Sequence, residues 1–349
     1  MWRLALRDLQ WRKRRFVISI LSTSLVFTIA LILAGVAGSF GAEAQRAIDA
    51  FGADFWVVHA DTPGPFSSGL PIPESEVNHL LHVPGVTGTG GLIYALQSIG
   101  LSTRPTNVNL FGVSPGRLGM PSPDQGRQPT RDSEAMTDDS LPFTIGQHFI
   151  LGGRSFMVVG RLHHSTLLAG TPNVFVTLRA AQQLIFQGQP EVTAILVRGA
   201  PHHALTGYRV LSLSDVHADM TRALAKAQQV VTFIELFLWL IAASIIGSVV
   251  FISALEKTRD FAVLKATGSS DLQLISSLTL QAIVISLGAA LLAGILASLV
   301  VPTFPLVVSI PAWSMLALPI LAVGIGLLAS LAGLRRVISV QPAAAFGGP

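Results

Sequence analysis

Between Asp271 and Arg335 the chain has no Asp, Glu, Lys or Arg over more than 60 positions. A soluble domain has little room to hide so long an uncharged run. A bilayer accepts it, because a hydrocarbon core of about 30 Å is crossed by about 20 helical residues. Pro302, Pro305 and Pro311 interrupt the run, and each proline removes a helical N–H donor. The run therefore reads as two spans, 272–301 and 313–334, joined by an outer loop over 302–312, with Trp313 where an interfacial aromatic belongs. Two other stretches are uncharged over span length, 16–42 and 236–255, the second bracketed by Glu235 and Glu256. The expected fold class is an α-helical membrane protein with four transmembrane helices and a mixed α+β extracytoplasmic domain between the first and second spans. The first stretch exceeds the roughly 7–15 apolar residues of a cleaved signal core, so it reads as a span.

Basic residues orient these spans. Arg3, Arg7, Arg12, Lys13, Arg14 and Arg15 precede the first, Lys257, Arg259 and Lys265 lie between the second and third, and Arg335 and Arg336 follow the last. The positive-inside rule places all three clusters, and both termini, in the cytoplasm, with the chain crossing the cell membrane several times. The region 43–229 then lies outside, with 12 Lys/Arg against 14 Asp/Glu. The pI of about 10.0 is thus a topology signal, and no nucleic-acid partner is expected. The absence of cysteine excludes disulfides, thiolate metal sites and a lipoprotein anchor.

In the outer domain, expected over 43–213, Asp54–His59, Leu92–Gly100 and Asn107–Val113 have strand composition. "HFILGGRSFMVV" has the form of a hairpin turning at Gly152 and Gly153, and "IPESEVNHLLHVPGV" that of a short helix closed by Pro84 and Gly85. Residues 121–142 are polar and aperiodic and read as an exposed loop. From Ser214, a possible cap, Val216, Met220, Ala223, Leu224, Ala227, Val231 and Ile234 recur at helical spacing. This predicts a stalk helix over 214–235 running without a break into the second span, a helix of about 40 residues that would couple the two sides of the membrane. The alternative is two helices with a kink near Glu235. Residues 1–15 read either as an amphipathic helix on the inner leaflet or as a plain basic flank, and 335–349 as a cytoplasmic tail.

Small residues recur four apart in the spans: Ala30, Ala34 and Gly38; Ala243 and Gly247; Ala290, Gly294 and Ser298; Ala322, Gly326 and Ser330. In lipid, such stripes let helices pack closely. No span has a charge well inside it, which argues against an ion-coupled carrier and places the energy source elsewhere.

The stretch "LEKTRDFAVLKATGSSDLQLISSLTLQ" resembles the cytoplasmic loop of the FtsX-like permease superfamily, the MacB-like or type VII (mechanotransmission) group of ABC transporters. The family pattern Glu-x-x-Arg-(Glu/Asp)-Phe-Ala-x-Leu-Lys-Ala-x-Gly is met by Glu256, Arg259, Asp260, Phe261, Ala262, Leu264, Lys265, Ala266 and Gly268. "LALRDLQWRKRRF" and "RRVISVQPAAAF" are similar to the family's two ends, and the order of one span, an outer domain and three spans also fits. The resemblance implies a coupling helix within 256–271 that docks on an ABC ATPase. Glu256, Arg259, Asp260, Phe261, Leu264, Lys265 and Gly268 are its candidate contact residues. Phe261 and Leu264 would form the hydrophobic contact, with Arg259, Asp260 and Lys265 as polar partners.

The chain has only four lysines, Lys13, Lys226, Lys257 and Lys265, and none closes a phosphate-binding Gly-rich loop. The ATPase, with its ATP and Mg, is therefore expected on a separate subunit. No cofactor and no enzymatic activity are expected on this one. The resemblance further implies a second copy or a paralogous permease. The leading expectation is export or extraction of hydrophobic cargo. The alternatives are an FtsX-like regulator that activates a cell-wall hydrolase through an extracytoplasmic contact, and a permease for amino acids or other small solutes.

Other chemistry is weak. Gly112-Val113-Ser114-Pro115-Gly116 satisfies G-x-S-x-G, but Pro115 has no N–H to offer an oxyanion, so a turn after a strand is expected. The pairs His79/His82, His163/His164 and His202/His203 read as exposed histidines, and Asp132, Glu134, Asp138 and Asp139 as a solvated acidic segment.

Overall fold

The computed structural model describes residues 13–67, 70–100, 105–199, 207–268, 270–303, 308, 310 and 312–339. Most of the expected 1–15 helix, the His202/His203 pair, parts of the 302–312 loop and the last ten residues of the tail lie outside the described residues. In chain order, helix α1 (Lys13–Phe51) precedes β1 (Phe55–His59), β2 (Ile72–Pro73), α2 (Ser75–Leu81), β3 (Val86–Gly100), β4 (Pro105–Val113), β5 (Gln125–Gly126) and β6 (Glu134–Asp138). Then come β7 (His148–Leu151), β8 (Arg154–Leu162), β9 (Thr166–Leu167), β10 (Thr171–Thr177), α3 (Leu178–Ile185), β11 (Glu191–Val192), β12 (Ala194–Gly199) and β13 (Tyr208–Ser212). Helices α4 (Leu213–Arg222), α5 (Ala225–Glu256), α6 (Thr258–Ala266), α7 (Asp271–Val300) and α8 (Ala312–Ser339) follow. The chain divides into two units, 39–227 and the remainder.

Unit 39–227 is built on a mixed sheet with the strand order β13-β1-β12-β3-β4-β10-β6-β8-β5. Pairing is antiparallel except between β4 and β10 and between β6 and β8. Alternation along the strands sorts side chains between two cores. Val57, Ile93, Leu110, Val174 and Ile195 share one core with Val77 and Leu80 of α2 and Leu178 and Ala181 of α3. Trp56, Leu92, Phe111, Phe175 and Leu196 share the other with Ala44, Ile48 and Phe51 of α1 and Val216 and Met220 of α4. The second core is aromatic: Phe51 meets Trp56 edge-on with centroids 5.2 Å apart, and Phe111 stacks on Phe175 at 5.0 Å. Each such pair adds about 1 kcal/mol beyond its buried area.

The first helix runs well past the expected end of the span at residue 42. Its stripe Ala44, Ile48, Phe51, spaced four and three residues apart, is buried against the sheet. Within the same turns Glu43 is 2% exposed and accepts hydrogen bonds from Thr166 Oγ1 at 3.0 Å and Gly170 N–H at 3.3 Å.

Two expectations for this unit are overturned. Residues 121–142 are not an exposed loop, because β6 lies within it and is buried at every position. Of the four carboxylates expected to be solvated, Glu134 and Asp138 are buried, whereas Asp132 and Asp139 are partly exposed. Glu134 is 1% exposed and receives the Arg127 guanidinium at 2.6 and 2.8 Å and the Thr130 N–H at 2.9 Å. Asp138 is fully buried and accepts hydrogen bonds from Ser140 and from Ser165 N–H. Both buried carboxylates are satisfied by hydrogen bonds, so an aperiodic polar sequence concealed a strand.

The Arg127 hydrogen bond, opposed by burial and supported by backbone donors, holds the Glu134 carboxyl at about 2, against an ordinary 4.5. The folded value is the lower one, so the stabilisation is complete above the unfolded value and is lost as pH falls through it toward the folded value. Screening through the half-exposed guanidinium limits it to about 1–2 kcal/mol. Acidification from pH about 6 to about 3 should lower the unfolding temperature of the full-length protein. Glu134→Gln should start from a lower plateau and show a shallower fall, read by fluorescence unfolding.

The uninterrupted stalk helix also does not form. Ser212, not Ser214, is the cap: its hydroxyl accepts the Asp215 N–H while the Asp215 carboxylate accepts the Ser212 N–H. Helix α4 ends at Arg222, Leu224 N–H turns back to Thr221 O at 3.0 Å, and α5 begins at Ala225, so the break is not at Glu235 either. The reason is burial: Val216 and Met220 hold α4 to the sheet core, whereas residues 225–230 are exposed and have no such anchor.

The strands expected over Asp54–His59, Leu92–Gly100 and Asn107–Val113 are present, and β7 and β8 form the hairpin through Gly152 and Gly153, both at positive φ. The G-x-S-x-G glycines are structural. A Cβ on Gly112 would sit 2.1 Å from Ala181 Cβ, so glycine lets α3 approach the sheet, and Gly116 has φ +73° in the turn after β4.

Among the described residues, three helical segments are long and apolar enough to cross a membrane: Phe16–Phe51, Ala225–Glu256 and Asp271–Thr303. The apolar part of α8 among the described residues is the shorter Ser314–Ser330. Close packing is visible where α7 meets α8: a Cβ on Gly326 would lie 2.9 Å from Ser286 Oγ and 3.2 Å from the Ala282 backbone. On α7 the buried column is Ala282, Ser286, Ala289, Ala293 and Ala297. The expected Gly294 and Ser298 fall outside it, Gly294 facing open space, because the packed face is turned by one residue. Gln281 Nε2 donates to Ser253 Oγ at 3.0 Å, a buried link between α7 and α5.

Candidate functional site

The stretch 256–271 folds as the end of α5, the short helix α6 and the cap of α7. Helix α6 has Asp260 in its first turn and Lys265 in its last, each complementing the helix dipole. Gly268, at φ +97°, ends it: Gly268 N–H reaches Lys265 O and Thr267 N–H reaches Val263 O, both at 3.0 Å. Ser270 then caps α7 in a reciprocal pair with Gln273.

Helical periodicity gives α6 two faces. Inward, Phe261 is 4% exposed and Ala262 fully buried, both in one cluster with Val250, Ala254, Leu274 and Leu278. Leu264 packs against that cluster. Lys265 folds in as well, its Nζ 2.6 Å from Asp271 Oδ1, which ties α6 to the start of α7. Outward lie Arg259, Asp260, Val263 and Ala266, with Val263 47% exposed. Neither Arg259 nor Asp260 has an ion-pair partner among the described residues. Glu256 is exposed at the end of α5.

Within the chain, Phe261 is buried and Leu264 packs against the same bundle, while Lys265 pairs with Asp271. Gly268 shapes the turn. The exposed residues of α6 are Arg259 and Asp260 with Val263 and Ala266, of which Val263 and Ala266 were not among the expected contact residues. Their spacing from Arg259, four and seven residues on, was the signal that would have marked them as sharing its face.

The FtsX-like permease C-terminal family matches residues 232–342, which include α6. Over 345 residues the chain is 42% identical to an uncharacterized ABC transporter permease of Mycobacterium bovis, with 99% of each chain covered. It belongs to the FtsX-like ABC transporter permeases. A second permease, from Mycobacterium tuberculosis, is 41% identical over 347 residues, again with 99% of each chain covered. Among solved structures, the periplasmic region of MacB from Actinobacillus actinomycetemcomitans aligns at 13% identity and TM-score 0.36, covering 47% of this permease and 92% of that chain. The extracellular domain of the ABC-type transporter YknZ from Gram-positive bacteria aligns at 14% identity and TM-score 0.34, covering 45% and 99%.

Proposed function

We propose that this permease is the membrane subunit of a mechanotransmission ABC transporter whose α6 docks on a separate ATPase subunit. In this reading the chain crosses the membrane four times, with termini and α6 in the cytoplasm and unit 39–227 outside. Two copies, or one copy and a paralogous permease, pair with two ATPases. The observation that carries the reading is the outward face of α6: an arginine and an aspartate without ion-pair partners among the described residues beside an exposed valine, on a short helix anchored from its other side by Phe261 and Ala262. A groove on the motor would meet Val263 with apolar surface and use Arg259 and Asp260 to set register. ATP-driven movement inside would reach the outer domain through α1 and α5. Spans without interior charge support work on hydrophobic cargo at the outer leaflet, that is, export or extraction.

The test is a pull-down of the tagged full-length protein in mild detergent from its native membrane. Recovery of a subunit with a nucleotide-binding Gly-rich loop is expected. Its absence under conditions that keep the permease folded would overturn the assignment.

A further inference from the structure

Strands β6 and β8 run parallel with Asp138 opposite Leu162, so Asp139 and His163 emerge side by side from the same end of the sheet. His163 Nδ1 lies 2.5 Å from Asp139 Oδ2. Consecutive residues on extended chain would point to opposite sides. His164 instead takes φ +51°, a left-handed conformation that is strained for a residue with a Cβ, and its ring centroid lies 3.8 Å from that of His163.

Backbone contacts fix this geometry. Asp124 Oδ2 accepts His163 N–H at 2.7 Å, Asp139 Oδ1 accepts His164 N–H at 3.4 Å, and Asp138 Oδ2 accepts Ser165 N–H at 2.6 Å. Arg161 Nη2 donates to the Asp139 carbonyl at 2.9 Å, away from the carboxylate. Both imidazoles line a cleft of about 230 Å³ within unit 39–227, together with Arg46, Phe51, Asn173 and Phe175.

We propose that Asp139, His163 and His164 bind one borderline divalent transition-metal ion of the Zn²⁺ class. Each residue offers a ligand atom within 4.8 Å of the others. A tetrahedral ion with bonds of about 2 Å holds its donors about 3.3 Å apart, so side-chain rotation alone closes the set. Two imidazoles and one carboxylate suit zinc and its neighbours, whereas calcium and magnesium require oxygen donors throughout. Three protein ligands leave a fourth position for water or for a donor group held in the cleft. A bound ion would join the turn after β6 to the loop after β8, the loop whose Thr166 and Gly170 bond to Glu43 of α1.

The test uses the full-length protein in detergent, carrying a tag without histidine and stripped with a chelator, then titrated with ZnCl₂ by calorimetry and equilibrium dialysis. One equivalent should bind. His163→Ala and Asp139→Ala should each weaken it by about tenfold or more. His164→Gly removes the ligand and also relieves the left-handed backbone, so it should fold at least as well as the parent and still lose the ion. The pair His79→Ala, His82→Ala should leave binding unchanged. No stoichiometric zinc in the parent, or a retained equivalent in His164→Gly, would overturn the proposal.

Discussion

A permease carrying Asp260→Lys and Val263→Asp is expected to leave the membrane without its ATPase, while the parent brings the motor with it. Both positions are exposed on α6, so neither change disturbs the bundle packed behind the helix. Together they reverse a register-setting charge and put a carboxylate where apolar contact is expected. A wrongly placed charge in a desolvated contact costs about 3 kcal/mol or more, so binding should weaken by a factor on the order of 100. Phe261→Ala provides the contrast. Phe261 is buried in the cluster with Val250, Leu274 and Leu278, so its truncation should cost about 3–5 kcal/mol of bundle stability. Thermal unfolding in detergent separates the two: the surface variant should melt with the parent, and Phe261→Ala well below it. Capture of the ATPase by the surface variant at parental yield would mean that α6 is not the docking element.

Val231→Pro should leave ATPase capture intact and abolish the ATP-driven response of the outer domain. Position 231 is interior to α5, where proline removes one backbone hydrogen bond and clashes with the preceding turn, at a cost of about 3 kcal/mol and a kink. Ala225→Pro is the matched control. Ala225 is the first residue of α5, where a proline fits, so the control should respond like the parent. Because the chain has no cysteine, Ser155→Cys on β8 gives a single labelling site in the outer domain. An environment-sensitive dye there, read in liposomes containing the permease and its ATPase, should change with ATP in the parent and in Ala225→Pro but not in Val231→Pro. An unaltered response in Val231→Pro would remove α5 as the mechanical link.

Signals contained within one short window of sequence were legible. Uncharged length marked three helical segments long and apolar enough to cross a membrane, strand composition marked β1, β3 and β4, and paired glycines marked the β7–β8 hairpin. The end of α1 was legible in principle, since Ala44, Ile48 and Phe51 repeat at helical spacing. It was missed because Glu43 looked like the boundary of a span, and nothing local says that this carboxylate is buried against Thr166 and Gly170. The stalk failed for a related reason. Its apolar spacing continues past Ala223, but burial stops at Met220, and a helix follows what it packs on as much as its own period.

By itself the sequence determined which segments are long and apolar enough to cross a membrane and the family to which the chain belongs, because these depend on composition and on motifs a few residues long. Tertiary structure alone decided which face of α6 looks outward, that Glu134 and Asp138 are buried and satisfied, and that Asp139 meets His163 across the parallel register of β6 and β8. Each of those is a contact between residues distant in sequence or a choice between two faces of one element. Such choices are made by the partner that packs against the residue, and local pattern does not name that partner.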